Sequence, residues 1–204
     1  MANQSVTPPG GNFPIPSTSS TPLLSFRCAP AIRPYLPEDK DGEIIIDSQV
    51  TYTQIDGARP ITLLPLPPSE AGGDRLQVEI TVDGKSLANG SVPLNATKYS
   101  IPFSLGPLQT RKAAYNLSCS AIYSNQSFSA FTALSYLPDP AVGNGGTVTK
   151  MDLRSGALLA KPVGKPDAAY EPVFPIGFYT SFGGYLAKNL SILNDLKEQG
   201  RVSI

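Results

Sequence analysis

The segment Leu76-Gln77-Val78-Glu79-Ile80-Thr81-Val82 alternates apolar and polar side chains without a break and runs directly into Asp83-Gly84. Successive side chains of an extended chain point to opposite faces, so this pattern describes a strand with one dry face and one wet face. Wound into a helix, the same apolar residues would be scattered around the circumference. Asp-Gly suits the two positive φ angles of a tight hairpin turn, so the strand is expected to double back after Val82.

The two-residue period recurs in Gln49 to Thr53, in Tyr99-x-Ile101-x-Phe103-x-Leu105, and in Tyr115 to Tyr123. It returns from Phe128 to Tyr136, after the turn Ser124-Asn125-Gln126-Ser127. About seven short strands spaced by turns predict a two-sheet antiparallel sandwich of immunoglobulin or fibronectin type over residues 23–140. The preceding residues 1–22 are rich in Pro, Ser, Thr, Gly and Asn without periodicity and read as a disordered leader. Residues 141–147 read as a linker.

Cys28 falls in Leu24-x-Phe26-x-Cys28 and Cys119 in Tyr115-x-Leu117-x-Cys119-x-Ala121, each at the parity of its apolar neighbours. Both sulfurs are therefore expected to point into one core. If they face each other they form a disulfide; the alternative is two buried free thiols.

Sixteen basic residues balance sixteen acidic ones, and the chain has no His. A neutral chain lacks the phosphate-neutralising charge behind most nucleic-acid binding, so no nucleic-acid partner is expected. Without His, the Ser-His and Cys-His nucleophile pairs and the common zinc sites are excluded, and no cofactor is expected. No apolar run is long enough to span a bilayer.

Six of the nine Asn residues open an Asn-x-Ser/Thr triplet, namely Asn3, Asn89, Asn95, Asn116, Asn125 and Asn189. Chance would supply roughly 1.5 at this Ser and Thr content, so the excess points to a secreted, glycosylated protein. Asn89 and Asn95 are placed in turns and Asn116 outward on a strand, and together with Asn125 they are the expected glycosylation sites. Asn189 falls within the apolar arc of a predicted helix and is expected to stay unmodified.

Beyond the linker the pattern changes. Thr147 to Leu153 and Ala157 to Lys161, joined by Arg154-Ser155-Gly156, predict a hairpin. Val173 to Tyr179 is an apolar run that predicts a fully buried strand. In Tyr185 to Gln199, Leu186, Leu190, Leu193 and Leu196 recur at helical spacing, and Gly200 is placed to cap the helix.

Lys150-x-Asp152-x-Arg154-x-Gly156-x-Leu158-Leu159, then Phe174-Pro175-Ile176-Gly177-Phe178-Tyr179, then Leu190-x-x-Leu193-x-x-Leu196-Lys197-x-x-Gly200 carry a resemblance. Residues 148–204 resemble the entry into the catalytic barrel of secreted, fungal-type glycoside hydrolases that have an N-terminal β-sandwich. That resemblance implies one strand and helix of an incomplete (β/α)8 barrel, with Tyr179, Thr180, Ser181 and Phe182 at the rim of a sugar cleft. It places the family's acid and nucleophile on later strands, so the chain is expected to be inactive by itself.

The acidic stretch Glu38-Asp39-Lys40-Asp41-Gly42-Glu43 reads as a solvated turn, because the later ligands of a calcium loop are missing. The expected function is that of a non-catalytic sandwich supporting a carbohydrate-hydrolysing barrel, outside the cell or in its wall. An extracellular glycan- or protein-binding module is the alternative. The expected partner is the remainder of the barrel or carbohydrate.

Overall fold

The computed structural model describes residues 15–64, 74–139, 148–162, 165, 167–174, 183, 188–189 and 191–198. Asn3, most of the expected leader, the linker 141–147 and the rim residues Tyr179, Thr180, Ser181 and Phe182 lie outside the described residues, as do Phe178, Leu186 and Leu190. The chain divides into two compact units, Met1–Pro138 and Asp139–Ile204, and its described part is mainly β with antiparallel sheets.

Among the described residues seven long strands build the first unit: β1 (Thr18–Pro30), β3 (Asp41–Thr53), β5 (Arg75–Val82), β6 (Lys85–Pro93), β7 (Tyr99–Ser104), β8 (Tyr115–Tyr123) and β9 (Gln126–Leu134). Two-residue strands β2 (Ile32–Arg33) and β4 (Arg59–Pro60) lie between them. One sheet has the order β4-β1-β3-β7 and another the order β6-β5-β8-β9. All their pairings are antiparallel.

Parity explains the core. Leu76, Val78, Ile80 and Val82 of β5 are buried while Arg75, Gln77 and Glu79 are exposed, as the alternation requires. They meet Leu117, Cys119 and Ala121 of β8 and, from the other sheet, Leu24, Phe26, Ile44, Ile46, Ile101 and Phe103, all in one apolar cluster. Burying one such Leu, Ile or Phe side chain contributes about 1.5–3 kcal/mol. Along the sides of the unit β1 lies against β9 and β6 against β7, so the core is enclosed between the sheets.

Cys28 on β1 and Cys119 on β8 are bonded to each other, with Cα atoms 6.6 Å apart, and so link the two sheets covalently. The bridge spans a sequence separation of 91 residues. Closing so long a loop removes freedom chiefly from the unfolded chain.

The hairpin turns follow the local chemistry. Val82 pairs with Lys85 across Asp83 (φ 46°) and Gly84 (φ 78°), both left-handed as the Asp-Gly signal implies. β1 starts at Thr18, inside the stretch expected to be a disordered leader. Thr18 pairs with Thr53, and the Gln54 N–H donates to the Ser17 carbonyl at 2.8 Å. A register irregularity between Thr18 and Leu23 accommodates Pro22, which has no N–H to give to a ladder. A partner strand distant in sequence, invisible to local composition, orders these residues.

In the second unit β10 (Lys150–Asp152), β11 (Ala157–Ala160) and β12 (Glu171–Val173) form an antiparallel meander. Gly156 (φ 78°) donates its N–H to the Asp152 carbonyl at 2.7 Å and closes the expected hairpin. Lys150 is buried, with its ammonium 4.2 Å from the Tyr170 ring centroid. The Tyr170 hydroxyl in turn donates to the Val148 carbonyl at 3.0 Å.

Of the buried strand expected over Val173 to Tyr179, only Val173 and Phe174 are among the described residues: Val173 ends the exposed strand β12, Phe174 is 87% exposed, and Pro175 to Tyr179 lie outside the described residues. An apolar run measures what a segment gains by being covered, but it does not supply the cover.

The start of the expected helix Tyr185 to Gln199 is corrected: α1 is Ile192–Glu198, with Lys188, Asn189 and Ser191 before it, while Gln199 and the expected cap Gly200 lie outside the described residues. The Asn189 carboxamide oxygen accepts from the Ser191 N–H at 3.0 Å, and the Ser191 carbonyl accepts the first helical bonds from Asn194 and Asp195. Asn and Ser compete with a helical ladder in this way and belong at helix starts.

Replacing both Cys28 and Cys119 with Ser is expected to lower unfolding free energy by about 2–4 kcal/mol. Urea denaturation measures this, and a thiol reductant added to the natural protein should reproduce the shift. Ile80→Ala, which empties a fully buried site, is expected to cost about 2–5 kcal/mol in the same assay.

Candidate functional site

Outward parity on the second sheet gathers polar side chains into rows. Glu79 faces Asn89 on one side and Ser120 on the other; beside that row, Gln77 faces Ser91 and Ile122. These residues line an open groove of about 470 Å³. The Ser91 hydroxyl accepts from Arg75 Nε at 2.8 Å and from Gln77 Nε2 at 3.3 Å, which anchors one wall. Ile122, 53% exposed, supplies the apolar patch, and Glu79 is the one carboxylate lining the groove among the described residues.

A second concavity, about 510 Å³, opens at the β5–β6 turn between Asp83, Lys85, Arg111 and Tyr115. Arg111 organises it. Its Nη2 donates to Asp83 Oδ2 at 2.9 Å and to the Ala114 carbonyl at 3.1 Å, its Nε donates to the Ala113 carbonyl at 3.0 Å, and its guanidinium lies 3.5 Å from the Tyr115 ring centroid. The Tyr115 hydroxyl donates to the Gln109 carbonyl and accepts from the Gln109 N–H, tying the loop to the start of β8.

Asp83 Oδ1 accepts from the Asn116 N–H at 3.0 Å. That backbone bond, with the neighbouring Arg111, holds the Asp83 carboxyl below the usual carboxylate range. In the second unit partial burial pulls the Asp152 carboxyl upward, but bonds from the Arg154 side chain and N–H outweigh it and leave Asp152 lowered. Burial raises Tyr35, whose hydroxyl both donates to and accepts from the Glu43 backbone. Among the described residues no group of three or more Cys, Asp and Glu side chains is arranged to hold a metal ion. No helix among them is long and apolar enough to cross a membrane.

The acceptor asparagines within the described residues, Asn89, Asn95, Asn116, Asn125 and Asn189, are all exposed. Asn116 lies outward on β8, opposite Ala133. Asn95 (φ 62°) sits in the β6–β7 turn with its carboxamide oxygen accepting from Val50 N–H, and Asn125 sits at the β8–β9 turn. Asn89 is corrected from turn to strand, because it pairs with Glu79 within β6. Asn189 is corrected from the buried side of a helix to an exposed position before it.

The expected rim residues Tyr179, Thr180, Ser181 and Phe182 lie outside the described residues. Sequence reasoning missed both concavities. The parity of Gln77 and Glu79 marked the groove face, but which strands flank β5 was not written locally. No family model, curated protein or solved structure matches the chain.

Asp83→Asn retains a residue that tolerates positive φ and removes the charge. It is expected to lower the thermal midpoint at neutral pH. Because the folded carboxyl is depressed, its contribution is present above the unfolded value and is lost as pH falls through the folded one. Melting curves of variant and natural protein should therefore converge in acid.

Proposed function

We propose that the first unit is a secreted, non-catalytic module of the immunoglobulin or fibronectin class, accompanying a glycoside-hydrolase-like barrel. The single observation that carries the reading is the disulfide between the two sheets in a chain whose described acceptor asparagines are all exposed. Disulfides persist in oxidising compartments, and acceptor triplets act on proteins that pass through them.

The class is supported by strand order. In chain order the long strands alternate between sheets as A, B and E (β1, β3, β7) against C, C′, F and G (β5, β6, β8, β9). The Tyr115 hydroxyl, which reaches back to Gln109 from the start of β8, has the form of the tyrosine corner of such sandwiches. The accompanying barrel is inferred from residues 148–204. In their hairpin Asp152, Arg154 and Gly156 build the turn, a structural role that fits an entry segment. Glycoside cleavage uses two carboxylates across the sugar, whereas the two concavities described above each present one among the described residues, and Asp83 is held by Arg111.

Expression of the full chain through a eukaryotic secretory pathway tests the reading. The expected product appears in the medium, oxidised at Cys28 and Cys119, and shows no turnover of aryl glycosides. A product with both thiols reduced, or one that hydrolyses those substrates, would overturn it.

One observation favours a glycan-binding role for the same unit: Phe131 is 79% exposed on the outer side of β9. Aromatic side chains combine a large apolar face with low ordering cost and suit sugar rings. In that case the chain is retained on an insoluble polysaccharide column, and Phe131→Ala elutes in the flow-through.

A further inference from the structure

We propose that the groove on the outer face of the second sheet is occupied by the protein's own glycan, an N-acetylglucosamine-based core attached at Asn89. The proposal rests on the secreted reading above and adds a site and its ligand.

Geometry gives the first argument. Asn89 is exposed and belongs to the groove lining itself, on β6, an edge strand of that sheet. The row Asn89, Glu79, Ser120 runs across three adjacent strands. Two strand spacings make roughly 10 Å, which matches the span of a disaccharide. A sugar attached at one end of that row needs only to lie along it.

Chemistry gives the second. The Gln77 amide, the Glu79 carboxylate and the Ser120 hydroxyl offer donors and acceptors for ring hydroxyls and an acetamide, and exposed Ile122 offers a surface for the acetamide methyl. Among the described residues no aromatic ring lines the groove, so a free sugar would find little there to hold it. A tethered sugar differs, because covalent attachment sets an effective concentration of order millimolar and weak contacts then suffice.

The order of events is constrained as well. The hydroxyl of Ser91, the third residue of the acceptor triplet, is engaged by Arg75 and Gln77 once β5 and β6 have paired. Attachment therefore belongs to the unfolded chain, before β5 and β6 pair.

Glycopeptide mapping of the secreted full-length protein, combined with hydroxyl-radical footprinting, tests the proposal. Asn89 is expected to be occupied. Oxidation of Ile122 should rise severalfold in Asn89→Gln but not in Asn125→Gln, with Tyr52 on the other sheet unchanged. Enzymatic release of glycans from the folded natural protein provides the same comparison if the variant folds poorly, and is expected to lower the thermal midpoint by about 2–4 °C.

An unmodified Asn89 beside occupied Asn95, Asn116 or Asn125 overturns the proposal and leaves secretion standing. An occupied Asn89 with Ile122 equally oxidised in both forms places the glycan in solvent and also overturns it. If no acceptor is modified, the proposal and the secreted reading fall together.

Discussion

The shared core between the two sheets of the first unit, fastened by Cys28–Cys119, is the constraint on which the other features depend. A strand has two faces, so committing Leu76, Val78, Ile80 and Val82 to the interior commits Gln77 and Glu79 to the surface. A slip of one residue would exchange the faces. The disulfide resists that slip at β1 and β8, because both sulfurs reach each other only when Phe26 and Leu117 also point inward. The outer-face groove is thus set by the same alternation that fills the core.

The two sheets differ in what they show outward. Asn89 and Asn116 lie on the second sheet and Asn125 at its β8–β9 turn, whereas Asn95 sits in the β6–β7 crossover, bonded to Ser48 and Val50 of β3; β1, β3, β4 and β7 themselves contain no Asn. Asp83 and Arg111 lock the β5–β6 turn to the approach to β8, with Asn116 itself supplying a backbone N–H to the lock. In the second unit Asp152 and Arg154 do similar work in a tighter space, where they shape a hairpin turn.

Much of this was legible along the chain. The period of two marked β5, β7 and β8, Asp83-Gly84 marked its turn, and the parity of each Cys marked the direction of its sulfur. These signals are local, carried by neighbouring residues. The misreadings share a cause. Thr18 is in a strand because Thr53 pairs with it, and Asn89 is in a strand because Glu79 does. Asn189 stands outside the helix because its carboxamide competes for the Ser191 N–H. At the start of the apolar run, Val173 and Phe174 are exposed, because an apolar side chain is buried only where another segment covers it.

The amino-acid order by itself therefore determined which side of each strand is dry, where the tightest hairpins turn and which way the two thiols point, since alternation and turn chemistry act over a few residues. Only the tertiary structure decided which strands become neighbours, that Cys28 meets Cys119, and that Asn89, Glu79 and Ser120 line up across one face. Those outcomes depend on pairing between segments far apart in the chain, where the energy of a contact belongs to both partners and is written in neither alone.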